Sequence, residues 1–269
     1  MESLKKEIYS IRKMFMLKQL RYDFISGILH HKKRMLMLAA VIIGIYIFDI
    51  FIYKGFLKPE EFIKFLFRGM MFTTDEKKFV LPNGIWLGIN ILLSLHIGMI
   101  ISDDISSYGK LRLLKLGNKI QWWLSKVVLV CVSVILYYVV IIVTALICAN
   151  IAGLFGVKYV DSNIVDDIST YLLAGYVFKI VLTSLMLSCI QGVITLFNFK
   201  IGIAGVVIFL AVTMYDRTHR FLGNYLMIAR MKAGIEMHIV NMAFEIVLIV
   251  FSVIIGMYLV KKKSVYIWR

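Results

Sequence analysis

Residues 127–150 read VVLVCVSVILYYVVIIVTALICAN, a run of 24 residues without a charged side chain. An α-helix needs about 20 mostly apolar residues to cross the hydrocarbon core of a bilayer. This run is therefore long enough to span a membrane as one helix. Five other runs share its character, and the six predicted spans are 35–53, 85–101, 127–150, 171–197, 201–215 and 239–260.

The composition of the whole chain agrees with these runs. Of 269 residues, 61% are hydrophobic and 17% are charged, whereas a soluble domain averages roughly 45–50% apolar and about 25% charged. Only two prolines interrupt the chain, so long helices can form. The sequence predicts an all-α polytopic membrane protein with six transmembrane helices.

The fourth and fifth runs are separated only by Asn198, Phe199 and Lys200. A single helix over 171–215 would be about twice the length that a bilayer requires. We therefore expect two spans joined by a tight turn.

The distribution of basic residues predicts the orientation. With six spans, both termini lie on one side, and that side holds 19 Lys and Arg against 11 on the other, at nearly equal loop length. Basic residues accumulate in cytoplasmic loops, so we expect both termini in the cytoplasm. The net charge of +15 then reflects topology and anionic lipid headgroups, and we expect no nucleic-acid partner.

The segment 1–34 carries apolar residues at helical spacing, Leu4, Ile8, Ile11 and Phe15, between lysines and arginines. This pattern is typical of an amphipathic helix lying in the membrane interface; the alternative is a solvated basic tail. The predicted division is thus a cytoplasmic amphipathic segment at 1–34, a membrane domain at 35–260 and a basic cytoplasmic tail at 261–269.

The sequence lacks two common motifs, one for binding nucleotide phosphates and one for a catalytic zinc ion. No G-x-x-x-x-G-K-[ST] loop and no H-E-x-x-H pair occurs. The three cysteines, Cys131, Cys148 and Cys189, lie inside apolar runs and are expected to be small buried hydrophobes. We expect no catalytic site, no metal site and no cofactor in this chain.

Ionisable residues inside spans are candidates for function. Lys179 and Glu245 lie at comparable depth from the same side, and we predict a structural ion pair; the alternative is that each reaches the interface independently. His96 lies in the second span, where an interhelical hydrogen bond is favoured over a proton relay.

A charged stretch follows the second span: residues 103–126 read DDISSYGKLRLLKLGNKIQWWLSK. Its leucines can form one face of a short helix bounded by Gly109 and Gly117, with basic residues on the other face. Trp122 and Trp123 suit the membrane interface, and Lys126 is expected to begin the third span.

This stretch resembles the cytoplasmic loop between the second and third spans of ABC-2-type transporter permeases. The matching residues are Asp103, Asp104, Gly109, Leu113, Leu114, Gly117 and Lys126. The chain departs from the family pattern in having Asp for Glu, Lys110 for Thr and Gly117 for Pro. The overall layout is also similar to that family: an N-terminal elbow helix, six spans, a near-absent loop between spans four and five, and a partly re-entrant segment between spans five and six, here 216–238.

The resemblance implies the permease subunit of a bacterial plasma-membrane exporter, paired with a second, identical or paralogous permease. Two ATPase subunits in trans would bind ATP and Mg²⁺. The implied ATPase-coupling residues are Tyr108, Gly109, Lys110, Leu111, Arg112, Leu113, Leu114, Lys115, Leu116 and Gly117.

Residues implied to line the translocation path or permease interface are Trp86, Asn90, Leu93, His96, Met99, Ile208, Phe209 and Val212. This apolar surface suits an amphipathic or hydrophobic cargo, such as a peptide toxin, an antimicrobial peptide or a lipid-like molecule. For the path residues, the alternative is ordinary packing between helices. For the chain as a whole, the alternatives are a secondary transporter or channel without an ATPase, and a membrane scaffold.

Overall fold

The computed structural model describes residues 32–51, 55, 57–70, 84–106, 119–154, 170–216, 218, 221–231 and 235–262. The amphipathic segment predicted for 1–34 lies outside these ranges apart from its last three residues. The predicted coupling residues 108–117 and most of the tail at 261–269 lie outside them as well.

Every regular element in the described ranges is a helix. In chain order they are α1 (Lys32–Phe51), α2 (Pro59–Phe67), α3 (Gly84–Ser106), α4 (Lys119–Leu154), α5 (Thr170–Thr195), α6 (Phe199–Tyr215), the 3-10 turns η1 (Leu222–Leu226) and η2 (Ile228–Arg230), and α7 (Ile235–Lys262). Each of the six apolar runs falls on a helix over most of its described residues.

Five helices are long and apolar enough to cross a membrane, namely α1, α3, α4, α5 and α7. Large apolar side chains cover the outward faces of α1, α4 and α7, for example Phe51, Leu154 and Val240. Lipid tails solvate such faces, whereas water would not. The chain is therefore an α-helical, multi-pass membrane protein. The helix α6 is equally apolar but has 17 residues, and a sixth crossing stays a prediction.

The helix α4 is longer than the sequence indicated. It begins at Lys119, eight residues before the predicted start, and has 36 residues, or about 54 Å at 1.5 Å per residue. Trp122 and Trp123 are consequently part of the helix and are buried, as is Lys126. The bundle itself covers the two tryptophans, and their position at the membrane interface stays a prediction.

The helix α5 lies at the centre of the bundle, in contact with α2, α3, α4, α6, α7 and η1. Ser184 shares a hydrogen bond of 2.6 Å with the hydroxyl of Tyr138 on α4. Gln191 donates to the carbonyl of Ser94 on α3 at 2.7 Å. Such bonds between helices are a main source of cohesion where lipid supplies no hydrophobic driving force. The buried polar positions of α5 are Lys179, Thr183, Ser184, Ser188, Gln191 and Thr195.

The turn between α5 and α6 is as short as the sequence predicts. Asn198 precedes α6 in an extended conformation, and its side chain accepts a hydrogen bond from the backbone N–H of Lys200 at 2.8 Å. This is the N-cap arrangement that satisfies a free donor of the first turn. The two helices can therefore reverse direction with almost no connecting chain.

Two irregular connections cover one end of the bundle. The first contains α2, which Pro59 begins and which buries Phe62, Leu66 and Phe67. This helix was not predicted from the sequence. The second contains η1 and η2, buried from Gly223 to Ile228. We call α2, residues 68–70 and residues 221–231 together the capped end.

The two connections meet at Gly69. This residue has φ +67°, a conformation that favours glycine, and the side chain of Met227 occupies the space that a Cβ would need. The backbone N–H of Ala229 donates to the carbonyl of Arg68 at 3.1 Å. Non-helical backbone close to a membrane has to find its hydrogen bonds within the protein, and this contact supplies one of them.

Candidate functional site

The ionisable residues predicted to pair lie against each other between α5 and α7. Lys179 Nζ is 2.8 Å from Glu245 Oε2, and the two side chains are 4% and 0% exposed. Charges inside a membrane protein are unfavourable unless they are paired. The contact therefore allows both residues to sit within the bundle.

Three further polar side chains complete this group. Thr183 Oγ1 donates to Glu245 Oε1 at 2.7 Å, so both carboxylate oxygens accept a hydrogen bond. The ammonium of Lys179 lies 4.4 Å from the ring centroid of Tyr225, a cation–π distance. The Tyr225 hydroxyl accepts a hydrogen bond from the side-chain amide of Asn241. We call these five residues the polar cluster.

The polar cluster joins α5, α7 and η1. Because Glu245 is fully buried and both its oxygens have donors, its geometry suits a fixed link between elements rather than a site for a mobile ligand. Removing one partner of such a buried pair typically destabilises a protein by about 3–5 kcal/mol. The cluster therefore fixes how α7 sits against the centre of the bundle.

Arg230 is another buried cation, which the sequence analysis did not single out. Its Nε donates to the carbonyl of Met70 at 2.8 Å and its Nη1 to the side-chain oxygen of Asn224 at 2.7 Å. The guanidinium also reaches the end of α6, through the carbonyls of Thr213, Met214 and Asp216.

These contacts explain why an arginine stands in the apolar stretch FLGNYLMIARM at 221–231. The last carbonyls of a helix have no partner within the helix, and a cation at the C-terminus also complements the helix dipole. Arg230 thus donates hydrogen bonds to the last carbonyls of α6 and links both connections of the capped end to this helix. A lone arginine inside an apolar stretch was the signal in the sequence.

The predicted path residues on α3 are mostly inside the chain. Trp86 is fully buried and donates from Nε1 to the carbonyl of Leu226 at 2.7 Å. Asn90, Leu93 and His96 are also buried, while Met99 is partly exposed. The buried four pack within this one chain, and their role in a translocation path or permease interface stays a prediction.

The predicted path residues on α6 are more exposed than those on α3. Ile208 and Val212 are 63% and 50% exposed. Phe209 is partly buried and stacks on Phe221 at a centroid distance of 5.1 Å. The structure therefore does not bring the α3 and α6 residues together on one exposed surface. Ile208 and Val212 remain available to lipid or to another subunit.

The opposite end of the bundle flanks the predicted coupling residues, which lie outside the described ranges. Before them, Arg34 on α1 forms an ion pair of 3.5 Å with Asp103 on α3. After them, Trp123 on α4 donates from Nε1 to the carbonyl of Val253 on α7 at 3.0 Å. The same ring packs on Gly256, where any side chain would overlap it. We call this end, formed by the starts of α1 and α4 and the ends of α3 and α7, the basic end.

No group of three or more His, Cys, Asp or Glu side chains is arranged to hold a metal ion in the described residues. No protein-family model matches the chain. No curated protein matches it either.

Proposed function

We propose that the chain is the membrane subunit of an ABC-2-type transporter, driven by an ATPase that binds it in trans. Two copies of the ATPase and a second permease, identical or paralogous, would complete the transporter. ATP and Mg²⁺ would bind to the ATPase. The apolar exposed side chains suit the export of an amphipathic or hydrophobic cargo.

The observation that carries this proposal is the length of α4. At about 54 Å, the helix exceeds the roughly 30 Å hydrocarbon core of a bilayer. Its first turns, from Lys119 to Trp123, therefore continue the membrane helix toward the segment that resembles a coupling helix. A force that reaches Lys119 would act on one continuous helix.

Both flanks of the segment are attached to other helices. Asp103, at the end of α3, is paired with Arg34 of α1, and Trp123 is bonded to Val253 of α7. A displacement of the end of α3 would consequently be passed to α1, and a displacement of the start of α4 would be passed to α7. Transport driven from a separate subunit needs such a connection.

The test is purification of the tagged chain from its native membrane, followed by measurement of ATP hydrolysis in the eluate. We expect an ATPase to copurify with the wild type. The double variant Leu113→Asp with Leu114→Asp should lose that activity, because two carboxylates would replace the apolar docking face. Size-exclusion chromatography of the variant should match the wild type, which would exclude misfolding as the cause.

The matched control is Ser106→Asp with Ser107→Asp, which adds the same charges a few residues earlier and leaves the leucines in place. It should keep the ATPase. An ATPase retained by the leucine variant would refute the coupling role. The absence of ATPase activity from the wild-type eluate would favour a secondary transporter, a channel or a scaffold.

A further inference from the structure

A cavity of about 200 Å³ lies between α1 and α3 at the basic end. Leu38 of α1 and Leu92, Leu95 and Met99 of α3 contribute to its walls, and Tyr137 of α4 also lines it. An engineered apolar cavity of about 150 Å³ is known to hold a benzene molecule. This cavity is therefore large enough for a length of hydrocarbon chain.

The cavity is charged at one end only. Arg34 lines it there, and Lys32 and Lys33 are exposed in the same turn of α1. Asp103, which is paired with Arg34, offsets part of this charge, and Asp104 follows it in the sequence. Three cations against two carboxylates leave that end positive.

The dimensions fit one leaflet of a bilayer. From Leu92 to Met99 the wall runs about 10 Å along α3, within the roughly 15 Å of hydrocarbon in a leaflet. Met37 lines the cavity and is 58% exposed, and its neighbour Leu36 is 68% exposed. The opening is thus on the side where acyl chains surround the protein.

We propose that this cavity binds an anionic phospholipid, with one acyl chain between α1 and α3 and the phosphate beside Arg34, Lys32 and Lys33. Arginine and lysine near a membrane surface attract anionic headgroups, and flexible methionines adapt to the shape of an apolar ligand. The lipid would fill the space between α1 and the rest of the bundle. This site is independent of the ATPase proposal.

Native mass spectrometry of the purified chain tests the site. The protein is mixed with equal amounts of phosphatidylglycerol and phosphatidylcholine of the same acyl chains, and the retained lipid is measured. The wild type should retain phosphatidylglycerol at least fivefold more than phosphatidylcholine. Equal retention by the wild type would overturn the proposal without any variant.

Two substitutions distinguish the contribution of the headgroup to binding from that of the acyl chain. Arg34→Gln should reduce the preference for phosphatidylglycerol about fivefold, since each basic residue near the surface contributes on the order of 1 kcal/mol. Leu95→Trp fills the cavity and should reduce retention of both lipids. Wild-type retention by Leu95→Trp, or an unchanged preference in Arg34→Gln, would refute the site.

The control uses another groove, of about 550 Å³, between α1 and α4. Its lining includes Ile43, Ile47 and Ile151 and no charged residue. Ile47→Trp fills this groove with the same side chain as the test variant, and it should leave the retention of phosphatidylglycerol unchanged. A loss equal to that of Leu95→Trp would assign the binding to general contact with lipid and overturn the specific site.

Discussion

The two ends of the bundle are held together by different kinds of contact. At the capped end, Arg230 and Trp86 donate hydrogen bonds to the backbone of irregular connections. At the basic end, continuous helices meet through the Trp123 ring on Gly256 and through the pair of Arg34 and Asp103. The irregular end thus depends on polar bonds of fixed direction, and the helical end depends more on close packing.

This difference follows from the backbone. A helix satisfies its own N–H and C=O groups, so two helices need only fit together. An irregular segment has to find partners for those groups in other elements. We therefore expect the capped end to be the rigid part of the molecule, and the basic end to be the part where helices can shift.

The largest effect is expected from Arg230→Met. The variant leaves the end of α6 and the carbonyl of Met70 without their donor, and each unsatisfied buried group costs about 1–3 kcal/mol. The free energy of unfolding, measured by titration with sodium dodecyl sulfate, should fall by about 4 kcal/mol or more. Lys200→Met, on the exposed side of α6, is the matched control and should change it by less than about 0.5 kcal/mol. Equal effects would mean that the capped end does not depend on Arg230.

The next largest effect on the free energy of unfolding is expected from breaking the ion pair of Lys179 and Glu245. Lys179→Met or Glu245→Met alone leaves a buried charge unpaired, and each should lower the free energy of unfolding by about 3 kcal/mol. The double variant should be more stable than either single variant, because no unpaired charge remains. A double-mutant cycle with the same titration measures the coupling. Additive losses would show that the two charges contribute independently.

Gly256→Ala tests the packing at the basic end. The added methyl would overlap the Trp123 ring, and overpacking typically costs about 1–3 kcal/mol. Gly44→Ala on α1 is the matched control, because apart from the local backbone of α1 no atom lies within 4 Å of the position that its Cβ would take. Thermal unfolding in detergent should show a loss for position 256 and none for position 44. A loss at both positions would indicate a general effect of helical glycine.

The smallest losses of unfolding free energy are expected from replacing two buried tryptophans, Trp86 and Trp123. Trp86→Phe removes a donor from the carbonyl of Leu226, whose irregular segment has no continuous helical hydrogen-bond ladder, and should cost about 1–2 kcal/mol. Trp123→Phe removes a donor from the carbonyl of Val253, which the helix already satisfies, and should cost less than about 1 kcal/mol. The unfolding titration distinguishes them. The reverse order would contradict the contrast between the two ends.

The helices of this protein were largely predictable from the sequence. An uncharged run such as 127–150 has few alternatives in a membrane, and the turn at Asn198 followed from the limit on span length. The depth of Lys179 and Glu245 in their spans was enough to predict that they pair. In each case a single strong constraint, the bilayer, decided the outcome.

The capped end was less predictable because its contacts depend on tertiary structure. Nothing near Arg230 in the sequence shows that the end of α6 and the backbone of Met70 lie within its reach. The nine residues of α2 lie within a connection that carries many charged residues, and it was therefore interpreted as a loop. The early start of α4 was missed because Lys119 was assigned to the loop and Lys126 to the beginning of the span, although a basic side chain can lie along a helix that leaves the membrane.

The contact between Trp123 and Gly256 also has a consequence for how the sequence can change over generations. A larger residue at position 256 is compatible with this packing only if position 123 becomes smaller. Although they are far apart in the chain, the two positions should therefore vary together among related proteins. Covariation of positions 123 and 256 in a set of homologous sequences would indicate the contact between α4 and α7 without any structure.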